Sequence, residues 1–117
     1  MTFTAVYAVD EPSPEAIAAL PGTVLLEFGA PWCGHCLAAQ PGIEAVLSER
    51  PGIRHIKVED GRGRTLGRAF KVKLWPTLVV LHDGVERSRV VRPTGAAPVR
   101  LALEQAAGSQ GVSKPSP

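Results

Sequence analysis

Hydrophobic and polar positions along this chain fall into short blocks whose period changes, and the changes mark its elements. Phe3 to Val9 reads as a first strand. Ser13-Pro14-Glu15 has the form of a helix start, a capping serine followed by proline at the first helical position, and Pro21-Gly22 stops that short helix. Val24-Leu25-Leu26-Glu27-Phe28 is an almost unbroken apolar run, the pattern of a strand buried on both faces. From Cys33 to Arg50 the period lengthens. Cys36, Ala39, Ile43, Val46 and Leu47 fall on one face of a long helix, in which Pro41 predicts a kink shortly after Cys36.

Ile53 to Val58 predicts a third strand. Gly61, Gly63 and Gly67 loosen the next stretch, although Leu66, Ala69 and Phe70 support a turn or two of helix. Thr77 to Leu81 reads as a fourth strand, and Asp83-Gly84 is a hairpin signal leading into an antiparallel fifth at Val85 to Arg92. Val99, Leu103 and Ala106 line one face of a closing helix with Pro98 in its first turn. From Gly108 onward Ser, Gly, Lys and Pro predominate, which predicts a disordered tail over 108–117 beyond a domain spanning 1–107. No stretch repeats another. The pattern adds up to a mixed α/β domain with helices on both faces of a mostly parallel sheet.

Composition narrows the function. A chain of 117 residues, 44% of them hydrophobic, has room for a single core. The net charge is +2, and the densest basic stretch, Arg62, Arg64 and Arg68, lacks interleaved aromatics. It reads as a solvated face, and no nucleic-acid partner is expected. No apolar run approaches the ~18 residues that a membrane span needs, so no membrane partner is expected either. The stretch Met1 to Tyr7 lacks a basic segment followed by a long apolar run, which makes the cytoplasm the expected compartment. Paired cysteines there are more often catalytic or metal-binding than structural.

The chain has two cysteines, in Trp32-Cys33-Gly34-His35-Cys36, where the buried strand turns into the long helix. A thiol at a helix N-terminus faces unpaired backbone N–H groups and the positive end of the macrodipole. Its pKa falls from about 8.5 toward or below neutrality. Cys33 is therefore the expected exposed nucleophile. Cys36 lies on the same helix face, close enough to bond, and is the expected shielded thiol that resolves a mixed disulfide. A purely structural disulfide closing so short a loop would remove little chain entropy. A zinc site would need further ligands, and His55 and His82 lack a recognisable ligand spacing. No metal and no bound cofactor are expected beyond the redox-active Cys33–Cys36 disulfide itself.

The run from Leu26 to Cys36, with Pro41 inside the helix, Trp75-Pro76-Thr77 downstream and His82-Asp83-Gly84 after it, resembles the thioredoxin family. The resemblance extends from about residue 3 to 107, and the Gly-His between the cysteines resembles protein disulfide isomerases. It implies a thioredoxin fold: a central five-stranded mixed sheet in the order 1-3-2-4-5, flanked by four helices. Pro76 would be cis and packed against the cysteines, leaving the backbone of residue 75 free to pair with an extended substrate. Glu27 falls where the family buries an acid behind the cysteines, with a pKa raised by burial and a role in relaying protons to and from Cys36. Lys57 falls where the family pairs a lysine with that acid. A cationic His35 beside Cys33 would favour the thiolate and make the disulfide more oxidising, between about −270 mV for thioredoxin and about −180 mV for the isomerase. Trp32, Gly34, Trp75, Pro76 and Gly95 would contact substrate.

Departures from the family stand out at Gly29, where thioredoxins carry tryptophan and isomerases tyrosine, and at Trp75, where thioredoxins carry isoleucine. The Trp75 indole is expected to fill the volume that Gly29 vacates and to form an aromatic rim with Trp32. The loop Pro93-Thr94-Gly95 is altered too. The resemblance implies a monomeric thiol–disulfide oxidoreductase that reduces disulfide-containing protein or peptide substrates through a mixed disulfide. An upstream reductase or glutathione would then recycle it. A disulfide oxidase or isomerase is the alternative, and a non-catalytic binding module on the same scaffold is a third reading.

Overall fold

A computed structural model describes residues 3–111 and is organised around one strand, β1 (Thr23–Gly29), buried at every position after Thr23. On one side it pairs in parallel with β2 (Arg54–Glu59), and on the other antiparallel with β3 (Thr77–His82). The edge strand β4 (Val85–Val91) pairs antiparallel with β3, giving the order β2-β1-β3-β4. The sheet is mixed, with one parallel pair, rather than mostly parallel.

Four helices cover it. Ser13 caps α1 (Pro14–Ala18), its Oγ accepting from the Ala16 N–H at 3.0 Å. The others are α2 (Gly34–Ser48), which continues through Pro41, the single turn α3 (Leu66–Ala69), and α4 (Ala96–Gly111). Strand alternation divides the core between the faces. Leu25, Leu78 and Val80 pack against Ala39, Ile43 and Leu47 of α2 and Val99 and Leu103 of α4. Val24, Leu26, Phe28, Val79 and Leu81 pack against Ile17 and Leu66 on the other side. Both faces are covered, which is why the β1 sequence reads as a nearly continuous apolar run.

The expected five-stranded sheet in the order 1-3-2-4-5 is corrected to four strands, because residues 3–9 form no strand. One ladder-type bond forms, from the Ala8 N–H to the Lys57 carbonyl at 2.8 Å. Side chains make further bonds. The Thr4 N–H donates to His55 Nδ1 (2.8 Å), the Thr4 hydroxyl donates to the His55 carbonyl (2.7 Å), and the Ala5 carbonyl accepts from Lys57 Nζ (3.0 Å). The segment therefore straps the outer edge of β2 without extending the sheet.

At the opposite edge, Glu86, Arg87 and Arg89 place charge along β4, where it discourages pairing with another chain. Helix α4 runs to Gly111, past the boundary expected at residue 107. Residues 112–117 of the expected tail lie outside the described residues. Among the described residues, no helix is long and apolar enough to cross a membrane.

The β3–β4 hairpin turns through Asp83 and Gly84, both left-handed (φ 50° and 82°), as a two-residue turn matching the twist of its strands requires. Asp83 Oδ1 accepts from the Gly22 N–H at 2.8 Å, tying this turn to the start of β1. A Cβ on Gly84 would run into the backbone carbonyl of Ala18. Gly84→Ala should therefore cost about 3 kcal/mol, from left-handed strain plus a backbone collision. Urea unfolding measures the loss, and the thiol reactivity of the folded fraction should not change.

Candidate active site

Where β1 ends, a short turn delivers Cys33 as the N-cap of α2, in extended conformation (φ −81°, ψ 118°). Its Sγ accepts from the Cys36 N–H at 3.2 Å, so the sulfur occupies the position from which a capping oxygen usually satisfies the first-turn amides. Both thiols are free. Neither is exposed: Cys33 retains 7% of its surface and Cys36 1%. The expected exposed nucleophile is thus mostly covered, packed with Ala30, Cys36 and Trp75. Burial pushes the Cys36 thiol up to about 12; its hydrogen bond with Cys33 and the charges of Cys33 and Glu27 add to the rise, and a backbone bond from Ala30 opposes it. Cys36 is therefore a thiol at neutral pH.

Glu27 sits in the middle of β1 with no exposure. Oε1 contacts His55 Nε2 at 2.8 Å, and Oε2 accepts from Gln40 Nε2 at 2.8 Å. The same Gln40 nitrogen donates to the Cys36 carbonyl at 2.8 Å, linking the acid to the turn that carries the thiol. Lys57, aligned with Glu27 across the β1–β2 pair, does not take the place expected for it. Its ammonium donates to Gln40 Oε1 (3.0 Å) and the Ala5 carbonyl (3.0 Å) and lies 4.6 Å from the Tyr7 ring centroid. It reaches Glu27 through Gln40, and the side chain in direct contact with the carboxyl is His55. Because His55 Nδ1 accepts the Thr4 N–H, the neutral ring carries its proton on Nε2 and donates it to Glu27.

The space beside Gly29 is not filled by Trp75. A Cβ there would lie 2.6 Å from Cys36 Sγ and 2.9 Å from the Tyr7 hydroxyl, so these two atoms occupy it. Tyr7 comes from the strap over β2, and burial, followed by the charges of Cys36 and Glu27, pushes its hydroxyl pKa up. Trp75 lies edge-on to the exposed Trp32, with centroids 5.5 Å apart at 70°, which makes the aromatic rim. Its indole N–H donates to Asp60 Oδ2 at 2.8 Å. Its carbonyl, expected to be free, accepts from Arg92 Nε at 2.8 Å.

The Trp75–Pro76 peptide is cis. Gly34 and His35 are exposed on the first turn of α2, and Gly95 (φ 112°) lies in the loop before α4, its backbone against Gly42. Tyr7, Gln40, His55, Asp60 and Arg92 complete the site but were not among the predicted site residues. Gln40 carried one signal, its place one turn after Cys36. His55 carried another, a polar residue alternating with Lys57 in a buried strand.

Among the described residues, no cluster of His, Cys, Asp and Glu is placed to hold a metal ion. The thioredoxin family model matches residues 6–104. The chain is 35% identical over 98 residues to protein disulfide-isomerase A3 of Gallus gallus, covering 83% of this chain but 19% of that protein. It is 36% identical over 70 residues to a thioredoxin of Chlamydia trachomatis, covering 60% of this chain and 69% of that one. The structure of thioredoxin 2 from Pseudomonas aeruginosa PAO1 in its reduced form matches with a TM-score of 0.80 and 48% identity, over 92% of this chain and 99% of that one. The family match runs through the sheet, the cysteine turn and most of α4, and the chain belongs to the thioredoxin family of thiol–disulfide oxidoreductases.

Proposed function

We propose that this oxidoreductase reduces disulfides of protein or peptide substrates, with Cys33 as the attacking thiolate and Cys36 as the resolving thiol. The carrying observation is the unequal setting of the two sulfurs. Cys33 Sγ receives a helix N-terminal amide, whereas Cys36 is pushed up to about 12 and holds its proton. The Cys33 thiolate attacks one substrate sulfur, the substrate S–S bond breaks, and one substrate thiolate leaves. Cys36 then gives its proton to Glu27 and attacks the Cys33 sulfur of the mixed disulfide. The second substrate thiolate leaves, two electrons have passed to the substrate, and the pair ends as a disulfide.

Glu27 is suited to that step because His55 and Gln40 hold its oxygens, Gln40 ties it to the Cys36 carbonyl, and its charge acts on the Cys36 thiol. Lys57 steadies Gln40 and adds positive charge. His35 tunes the Cys33 thiolate from the exposed first turn of α2. Trp32, Trp75 and Pro76, with the backbone at Gly34 and Gly95, border the substrate groove. An upstream reductase or glutathione restores the dithiol, and the protein works as a cytoplasmic monomer. Disulfide donation or isomerisation is the second reading, favoured by His35 between the cysteines.

The reduction potential separates the two. Equilibration in graded glutathione buffers, with alkylated thiols counted by mass, should give a value nearer about −270 mV for a reductase; a value near about −180 mV would favour donation or isomerisation. Cys33→Ser should abolish turnover. In that variant Cys36 alkylation should be slow at neutral pH and still accelerating well above pH 9, since burial, the largest cause of its raised pKa, remains. A plateau near neutral pH would reassign the roles of the two sulfurs. Trp75→Ile should weaken turnover of peptide substrates while leaving the unfolding midpoint close to wild type; unchanged turnover would remove the indole from the substrate surface.

A further inference from the structure

Tyr7 belongs to no strand, and its hydroxyl faces the sulfur of Cys36 across the space that a side chain at position 29 would fill. Three features hold it there. The Lys57 ammonium lies over its ring at 4.6 Å, the same ammonium binds the Ala5 carbonyl two residues earlier in the strap, and the Ala8 N–H is tied to the Lys57 carbonyl just after it. Packing alone does not force the hydroxyl against the sulfur. A cavity of about 350 Å³ adjoins Tyr7, Cys36, Leu37 and Lys57 and leaves the ring open space on that side.

We propose that Tyr7 is a catalytic hydrogen-bond donor to Cys36, stabilising the thiolate that forms when Cys36 resolves the mixed disulfide. The hydroxyl suits that role and not the role of a base. Burial and the neighbouring negative charges keep its proton in place, so it remains a donor throughout. The charge it meets develops only in the second step. As the Cys36 proton passes to Glu27, negative charge gathers on Sγ, and a hydrogen bond to a charged atom is stronger than one to the neutral thiol. The first step, in which Cys33 attacks, gains nothing from it. This inference rests on the proposed roles of Cys33 and Cys36.

The test uses the reduced full chain and an aromatic disulfide whose thiolate is coloured when released. Attack by Cys33 releases one coloured thiolate, and attack by Cys36 on the resulting mixed disulfide releases the second. In Tyr7→Phe, which keeps the ring over Lys57, the first release should match wild type and the second should slow about tenfold, the size of one hydrogen bond to a charged group. Val6→Ala, an exposed neighbour in the same strap, should leave both releases unchanged. The proposal is overturned if the second release is unaffected in Tyr7→Phe, if both releases slow together, or if Val6→Ala slows the second as much. A wild-type protein that gives no second release would instead overturn the assignment of Cys36 as the resolving thiol.

Discussion

A carboxylate without solvent in the middle of the central strand sets the terms for much of this molecule. A buried, unpartnered charge costs several kcal/mol, so Glu27 is tolerable only where donors meet both of its oxygens. His55 and Gln40 supply them, and each must itself be held. Gln40 is anchored by its bond to the Cys36 carbonyl, one turn back along α2. His55 is held by the Thr4 N–H on its far nitrogen, which also aims its remaining ring proton at the acid. Satisfying one side chain in β1 thus recruits the first turn of α2, the interior face of β2 and the N-terminal segment.

That chain of demands marks the boundary between what was legible in the sequence and what was not. The β1 run, the start of α2, the Asp83-Gly84 hairpin and the apolar face of α4 are local patterns, and local patterns report burial and turn geometry directly. Phe3 to Val9 has the composition of a strand, yet its backbone groups are claimed by side chains from β2. Nothing within the segment announces that competition, because the competitors lie about 50 residues away and act through side-chain chemistry, outside the propensities that sequence patterns report. The place of the cysteine pair at a strand–helix junction was readable from the change of period there, and the burial of Glu27 from the apolar run that it interrupts. Tyr7 was not, since its importance depends on the missing side chain at Gly29.

The two sulfurs show how a few ångströms separate chemical roles. They belong to residues one helical turn apart at the start of α2, both nearly buried, yet one receives a helix amide and the other meets a carboxylate's field and an apolar wall. The aromatic rim is fixed with similar economy. Asp60 pins the Trp75 indole through its N–H, and a Cβ on Gly67 would collide with the Asp60 carboxylate, so the smallest side chain at that position leaves room for the pin. The indole is therefore held as a wall of the site, unlike the exposed Trp32 that leans on it.

Arg92 turns through a left-handed backbone (φ 51°), its N–H on the Pro76 carbonyl and its Nε on the carbonyl of Trp75. A peptide strand docking along residue 75 would find that carbonyl already engaged. A carbonyl oxygen has two lone pairs, so a docking N–H would either share that oxygen with the guanidinium or displace it. Two bonds from this one residue thus latch the end of β4 to both carbonyls of the cis Trp75–Pro76 pair.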